Sequence, residues 1–293
     1  MKKIIWSINL ILVLLTSVSA QTSYVQELNN WHNDRLDALK APNGWLNLEG
    51  LFWLHPGVNS FGSADSNDLV FDDPTFPKQA GKFILEVSSV KWESAPGVEL
   101  LIDGKSASKA IIFSEAAKKQ PVSQLGQYRW TIIKREEKIG VRFRDLNSKQ
   151  LKSFHGIERF PVDVKWKVRA KLLPANNHGL AITNVLGQSN FEKSSGKLQF
   201  EINGINYTLD TIDEGDGQLF IVFGDQTNDE ITYPSGRFVY ADKPGADGFT
   251  VLDFNKAINP PCAFTDFATC PIPPPQNILP MAITAGEKKY DNK

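Results

Sequence analysis

Short apolar or β-branched runs, separated by Gly, Pro, Ser and charged residues, recur at regular intervals from residue 61 onward. Runs of this kind are typical of strands, and a chain that contains many of them folds into a sandwich or a barrel. The sequence therefore predicts a mainly β protein with antiparallel sandwich-like or barrel-like sheets. The runs 128–133 and 139–144 are expected to form a hairpin, and Asn203-Gly204 supplies a hairpin-type turn. The predicted strands are 83–87, 98–102, 110–113, 128–133, 139–144, 164–173, 180–185, 197–202, 207–212, 219–223, 238–241 and 249–253.

One segment near the N-terminus has helical spacing instead. Residues 23–26 fit a capping box, and Pro42 and Gly44 supply a stop signal. We therefore predict one N-terminal helix from Ser23 to Lys40, and we expect the apolar run 44–54 that follows it to pack inside. The apolar stripe of this helix is Val25, Leu28, Trp31, Leu36 and Leu39.

The first 20 residues have the pattern of a secretory signal peptide. Lys2 and Lys3 precede an apolar run at 4–15, and small residues lead up to Ala20. The run is shorter than the roughly 20 residues that a membrane span needs. The sequence predicts cleavage after Ala20 and a periplasmic or secreted protein, with an uncleaved N-terminal anchor as the alternative.

Charge and cysteine content limit the function classes. Loss of the two leader lysines would lower the formal net charge from −1 to −3, so a nucleic-acid partner is not expected. Cys262 and Cys270 are the two cysteines of the chain, and in an oxidising compartment such a pair indicates a disulfide. Two cysteines make a poor zinc site, and the four histidines have no paired ligand spacing. We predict no metal and no cofactor.

The C-terminal segment is rich in proline on both sides of the cysteines. Prolines flank Cys262 at 260–261 and Cys270 at 271–275, so the tail is rigid without regular secondary structure. Two roles remain open for this disulfide-clasped tail. It could close a barrel as a structural clasp, or it could hold Asp253, Asn255 and Asn259 over a binding site.

Several polar residues of the second half are candidates for ligand binding. An arginine offers a planar fork for a carboxylate or phosphate, and a nearby aspartate can orient it. The alternative is a buried Arg–Asp pair that links strands of the sheet. The candidates with the first priority are Asp225, Tyr233, Arg237 and Asp253, followed by Asn255, Asn259, Arg159 and His155.

Residues 61–105 resemble part of the forkhead-associated domain. The resemblance lies in the run 61–74 and in the turn 102–105, and it implies a small β-sandwich. Those domains bind phosphothreonine peptides, but Ser63 stands where their phosphate-binding arginine usually follows the glycine. The resemblance therefore implies a framework rather than phosphopeptide binding.

A more specific resemblance covers the C-terminal third. The runs 232–238, 252–265, 268–271 and 285–288, together with 44–54 and 155–163 upstream, resemble a bacterial family catalogued as domain of unknown function 1684. The resemblance implies no mechanism. We expect a signal peptide at 1–20, a helix and apolar segment at 21–60, a forkhead-associated-like β region at 61–160 and a C-terminal β region at 161–293.

The expected function is binding of a small molecule or an envelope component. A nucleophile elbow, a Walker loop and a dinucleotide-binding glycine motif are all absent from the sequence. An extracytoplasmic hydrolase with a non-standard active site is the first alternative, and a structural or assembly protein is the second. The sequence predicts no stable membrane span after cleavage and does not determine the oligomeric state.

Overall fold

The computed structural model describes residues 2–135, 137–175 and 179–291, and it describes side chains from residue 21 onward. The side chains of the predicted leader, residues 1–20, lie outside this description. The fold is mainly β with antiparallel sheets and one main helix near the N-terminus, which confirms the predicted fold class. The chain divides into two compact units, which are described separately below.

The main helix, α1, spans Lys2–Lys40. The predicted start at Ser23 is therefore wrong, because residues 4–22 contain neither Pro nor Gly and the helix continues through the capping box. Gln26 donates to Asn30 Oδ1 at 3.0 Å as part of the helix surface. Within the described part of the chain, no helix has the length and apolarity that a membrane crossing requires.

The unit that we call the sandwich unit comprises Lys40–Phe154 and Thr265–Ala268. Its strands are β1 (Leu48–Trp53), β2 (Gly57–Gly62), β3 (Leu69–Val70), β4 (Gly81–Leu85), β5 (Ser89–Ser94), β6 (Leu100–Ile102), β7 (Lys105–Ala107), β8 (Lys109–Ser114), β9 (Ser123–Leu125), β10 (Tyr128–Arg135) and β11 (Lys138–Asp145). A six-stranded sheet has the order β1-β11-β10-β9-β6-β7, and a five-stranded sheet has the order β3-β2-β4-β5-β8. A short helix, α2 (Lys149–Ser153), follows the last strand.

The core of the sandwich unit is largely aromatic. Phe61 of one sheet lies 6.2 Å from the Trp130 ring and 5.3 Å from the Phe143 ring of the other, centroid to centroid. Both facing side chains come from the hairpin β10–β11, which the sequence predicted from the runs 128–133 and 139–144. Because side chains alternate along a strand, Trp130 and Phe143 point into the core and their neighbours along each strand point to the opposite face.

The unit that we call the barrel unit comprises Met1–Leu39, His155–Phe264 and Thr269–Lys293. Its strands are β12 (Lys167–Leu173), β13 (Leu180–Thr183), β14 (Ser189–Glu192), β15 (Gly196–Ile202), β16 (Ile205–Thr211), β17 (Gln218–Phe223), β18 (Arg237–Asp242) and β19 (Phe249–Asp253). Four strands form a sheet with the order β16-β15-β12-β19, and β17 and β18 form a separate hairpin. Two smaller strands, β13 and β14, pair with each other.

The hairpin β17–β18 joins the four-stranded sheet at both edges. Ile212, which follows β16, forms a bridge with Phe220, and Thr250 of β19 donates to the Asp242 carbonyl of β18 at 2.8 Å. Six strands therefore follow one another around a barrel-like ring. Leu219, Ile221 and Phe223 face the shared core of this ring, because alternate residues of a strand share one face.

Two local predictions have different outcomes. The predicted turn at Asn203-Gly204 joins β15 to β16, with positive φ angles of 53° and 77° that suit Asn and Gly. The strand predicted from Val164 begins instead at Lys167. Asp163 accepts a hydrogen bond from the Lys165 N–H at 3.0 Å and caps a 3₁₀ turn at Val164–Trp166.

Candidate functional site

Asp225 and Arg237 form an ion pair in the core of the barrel unit. Arg237 Nη2 lies 2.7 Å from Asp225 Oδ2, and both side chains are 0% exposed. The guanidinium also donates to the backbone carbonyls of Ile283 and Ala285, while the Ile283 N–H donates to Asp225 Oδ1 at 3.1 Å. The pair therefore fastens the C-terminal segment to the barrel and has no surface open to a ligand.

Gly236 and Tyr233 belong to the turn that precedes Arg237. Gly236 has a φ of +86°, and a Cβ there would lie 2.4 Å from Pro273 Cγ and 2.6 Å from the Phe223 carbonyl oxygen. The half-buried Tyr233 accepts a hydrogen bond from the Gly236 N–H at 3.2 Å through its carbonyl. Glycine is thus required where the proline-rich tail passes over β17 and β18.

Asn259 binds a buried glutamate that sequence analysis missed. The backbone N–H and the side-chain amide of Asn259 donate to Glu287 Oε2 at 2.6 and 3.1 Å. Arg35 of α1 reaches Glu287 Oε1 with its Nε at 3.3 Å and the Asn259 carbonyl with its Nη2 at 3.1 Å. Burial raises the Glu287 pKa, and the nearby Arg35 charge opposes that shift. The cluster joins the tail to α1, which favours the clasp role.

Arg159 lies beside the C-terminal tail, where its backbone forms a bridge with Glu287. The Arg159 guanidinium donates to Asn29 Oδ1 and to the Leu28 carbonyl of α1. Burial lowers the Arg159 pKa. His155 is exposed. Neither residue is joined by a described hydrogen bond to the Asp225–Arg237 pair.

The predicted cysteine pair is close in space. The backbone N–H of Cys262 lies 3.0 Å from Cys270 Sγ. Cys262 lies in a 3₁₀ turn at Pro261–Ala263, and a second 3₁₀ turn at Pro275–Asn277 follows Cys270. Asn277 then donates to the carbonyls of Asp210 and Val222. The proline-rich tail is thus held to the barrel on both sides of the cysteines.

Asp253 and Asn255 form a second polar network, together with Tyr24 of α1. The Tyr24 hydroxyl donates to Asp253 Oδ2 at 2.7 Å, and the Asn255 backbone N–H donates to Asp253 Oδ1 at 3.0 Å. The Asn255 amide also donates to the Tyr24 oxygen and to the Asp163 carbonyl. Burial is the main cause of a raised Tyr24 pKa, and the hydrogen bond to Asp253 adds to it. Tyr24 therefore stays protonated as a donor.

A cleft of about 390 Å³ opens beside this second network. It lies between α1 and the strands β12, β17, β18 and β19. Of the predicted site residues, Asp253 alone is among its lining residues. The lining side chains combine two aromatic rings with charged and polar groups: Trp31, Lys167, Gln218, Tyr240, Ala241, Asp242, Val251, Asp253 and Lys256.

The two lysines of this cleft have different surroundings. Lys167 Nζ lies 4.4 Å from the centre of the Tyr24 ring, a distance at which a cation is attracted to the ring face. Lys256 Nζ forms an ion pair with Glu27 at 3.1 Å. Within the described residues, no carboxylate forms an ion pair with Lys167. Lys167 is the more exposed of the two and is the better contact for a ligand anion.

The opposite wall of the cleft carries acceptors and a ring. Tyr240 stacks on Phe220 with the ring centres 5.0 Å apart, and burial, with help from the Glu214 charge, raises the Tyr240 pKa to about 12. Gln218 donates to Asp242 Oδ1 at 3.0 Å. The cleft therefore presents donors, acceptors and two flat apolar surfaces.

The residues of this cleft are mostly ones that sequence analysis did not select. Trp31 was assigned to the apolar stripe of the helix, and a partly exposed ring in such a stripe gives no signal of its own. Lys167 alternates with Arg169 and Lys171 on the exposed face of β12, so the sequence does not distinguish it from two other basic residues. Tyr24 and Asp253 are 229 residues apart.

A second cleft lies within the sandwich unit. Its volume is about 700 Å³, and Glu49, Asp72, Asp73 and Asp145 are among its lining residues. Burial raises the Glu49 pKa, and the Asp145 charge adds to the rise. Three phenylalanines are also among the lining residues: Phe52, Phe71 and Phe267. Within the part of the chain that the structure describes, no three His, Cys, Asp or Glu side chains are grouped to hold a metal ion.

Comparisons with known proteins agree with the resemblance found in the C-terminal third. Residues 152–288 match the family described as "Protein of unknown function (DUF1684)". No curated protein matches the chain. The solution NMR structure of an uncharacterized protein of Haloarcula marismortui is similar at 27% identity, over 48% of this chain and 80% of that one, with a TM-score of 0.40.

Proposed function

We propose from the geometry that this protein binds a small, polar, ring-bearing molecule. Residues 152–288 match the DUF1684 family, whose description names no activity. The proposed site is the cleft between α1 and the barrel strands. The observation that carries the proposal is that Lys167, Asp253 and two aromatic rings, Trp31 and Tyr240, line one cavity of about 390 Å³.

The volume and the lining limit the ligand class. Binding pockets for small molecules are typically about 300–1,000 Å³, with a few polar groups that fix the orientation of an otherwise apolar contact. Trp31 and Tyr240 offer faces on which a flat ring can stack. Lys167 can donate to an anionic or hydroxyl group, whereas Asp242 and Gln218 can pair with hydroxyl or amine groups.

The second polar network supports a binding role more than a catalytic one. Both oxygens of Asp253 already accept hydrogen bonds, from Tyr24 and from Asn255. A general base needs an oxygen that can reach the substrate proton. Asp253 is therefore better suited to fix the position of α1 at the edge of the cleft.

Export to the periplasm or the medium is part of the same proposal. It is supported by the basic start at Lys2 and Lys3, the apolar run at 4–15 and the small residues before Ala20. An oxidising compartment would favour a disulfide between Cys262 and Cys270, which are close together: the backbone nitrogen of Cys262 lies 3.0 Å from Cys270 Sγ. The ligand would then be a molecule of the cell envelope or its surroundings.

A thermal-shift screen tests the binding proposal. The protein is heated with monosaccharides, nucleosides and aromatic carboxylic acids, and a compound that binds raises the melting temperature. We expect the shift to be lost in Lys167→Ala and kept in Lys171→Ala, a matched change on the same face of β12 outside the cleft. A shift that survives Lys167→Ala would contradict the assigned site. A screen without any shift would favour a structural or assembly role.

A hydrolase is the second candidate function, and one observation in the sandwich unit favours it. Glu49 has a raised pKa beside the Asp145 charge in a cleft of about 700 Å³, which is the environment that keeps a carboxyl group protonated as a general acid. Turnover of ester, glycoside or phosphoester substrates that disappears in Glu49→Gln and persists in Glu99→Gln would establish it. Equal turnover by both variants would exclude Glu49 as the acid.

A further inference from the structure

Two arginines lie directly opposite each other on the outer face of the six-stranded sheet of the sandwich unit. Arg129 of β10 pairs with Arg144 of β11, and two residues further along the same two strands Thr131 pairs with Arg142. Trp130 and Phe143 point into the aromatic core, so the alternation of the strands places Arg129, Arg142 and Arg144 together on the other face.

The Arg144 side chain is buried, and no described residue supplies a compensating charge. The residue is 6% exposed, and its guanidinium makes one described hydrogen bond, from Nη2 to the Asn43 carbonyl at 3.4 Å. Its Nε and the Nε of Arg129 are buried without a hydrogen-bond partner. Among the described residues, no carboxylate lies within 4.0 Å of either guanidinium.

The electrostatics of this arrangement are unfavourable as they stand. Like charges directly opposite each other on neighbouring strands destabilise a sheet, and a buried charge without a partner costs more than an exposed one. Burial, together with the Arg129 charge, lowers the Arg144 pKa to about 10, so the guanidinium still carries its proton at neutral pH. Asp145 cannot neutralise it, because it points to the opposite face and lines the acidic cleft.

The third arginine is held in place by an aromatic ring. The Arg142 guanidinium lies 5.1 Å from the centre of the Trp45 ring, which is within the range of a cation–π contact. Opposite residues of a sheet have Cβ atoms about 5 Å apart, and diagonal ones about 7–8 Å. The three arginine side chains therefore leave neighbouring positions on one face of the β10–β11 hairpin.

We infer that Arg129, Arg142 and Arg144 form a binding site for a phosphoryl anion on the outer face of the β10–β11 hairpin. A phosphomonoester carries a charge of about −1.5 to −2 at neutral pH and three acceptor oxygens, which suits planar guanidinium donors. The same group occurs on free phosphorylated metabolites and on anionic lipid headgroups. Solvent and a ligand can reach the half-buried Arg129 and Arg142, while the buried Arg144 forms the base of the site.

The first test uses inorganic phosphate as the probe and the full chain as the protein. Phosphate should raise the melting temperature more than potassium chloride of equal ionic strength, which only screens the Arg129–Arg144 repulsion. Arg129→Gln should weaken phosphate binding at least tenfold. Arg135→Gln, which removes the same charge from the exposed end of β10, should leave it unchanged. Equal shifts with phosphate and chloride, or equal binding by both variants, would overturn the inference.

Two further experiments are needed. One distinguishes a lipid headgroup from a free metabolite as the source of the phosphoryl group, and the other distinguishes loss of the binding site from loss of the fold. Vesicles of phosphatidic acid should bind the chain if the group belongs to a lipid, whereas glycerol 3-phosphate alone should bind if it belongs to a free metabolite; binding of neither would overturn the inference. Arg144→Met should melt no lower than the wild type without phosphate and should lose the phosphate shift. A large loss of stability in Arg144→Met would show that Arg144 already has a partner, and would also overturn the inference.

Discussion

Arg237 and Asp225 are joined by a 2.7 Å ion pair in the core of the barrel unit, with neither side chain exposed. These are two of the four residues that the sequence placed first as candidates for ligand binding. The structure realises the alternative, a buried pair that links the barrel to its C-terminal segment. A planar guanidinium suits a carboxylate equally well when the carboxylate belongs to the protein.

Removal of one partner of this pair should be severely destabilising. Arg237→Ala leaves Asp225 buried without its counter-charge and leaves the carbonyls of Ile283 and Ala285 without a donor, so we expect a loss of about 3–5 kcal/mol of unfolding free energy. Urea denaturation measures it. Arg169→Ala, which removes an exposed ion pair with Asp247, should cost no more than about 1 kcal/mol. Similar losses in the two variants would contradict the structural role.

Tyr24→Phe should weaken the attachment of α1 to the barrel. The variant removes the hydroxyl that donates to Asp253 and leaves a buried carboxylate oxygen without that donor, at an expected cost of about 1–3 kcal/mol. Tyr207→Phe is the control, because the half-buried Tyr207 ring stacks on Phe200 and its hydroxyl makes no described hydrogen bond. Denaturant unfolding of the two variants compares them, and an equal effect would refute the role of the Tyr24 hydroxyl.

Stability should fall as the pH is lowered past the ordinary titration of histidine. Burial, and then the Arg159 charge, lowers the His32 pKa below its usual 6.5. The unfolded chain therefore takes up a proton before the folded chain does, so stability is full above pH 6.5 and declines as the pH falls towards the folded pKa. Melting temperatures between pH 7.5 and 5.5 should show this decline, and His32→Gln should reduce it. An unchanged slope in His32→Gln would assign the decline to other groups.

Reduction should lower the melting temperature of protein prepared under oxidising conditions. A disulfide between Cys262 and Cys270 would close a short loop and contribute about 2–3 kcal/mol in the chain-entropy description. The double variant Cys262→Ser, Cys270→Ser should not respond to the reductant. Mass spectrometry that finds two free thiols in such material would show that the disulfide does not form.

The sequence predicted the strands well because their apolar runs are local and bounded by turn residues. The hairpin at 128–144 and the strand Phe249–Asp253 match their predicted positions closely. The proposed binding cleft and the attachment of the tail depend on contacts between distant residues, Tyr24 with Asp253 and Arg35 with Glu287 respectively, which no local pattern encodes. The helix start at Ser23 was wrong because a local cap signal competes poorly with an unbroken helical run.

The central claim is that the cleft beside Trp31 and Tyr240 binds a small molecule. A crystal structure of the protein with a compound selected by thermal shift tests this claim most directly. We predict that the compound lies between these two rings with a polar group within hydrogen-bond distance of Lys167 Nζ. A compound that occupies a different surface while the cleft stays empty would contradict the account.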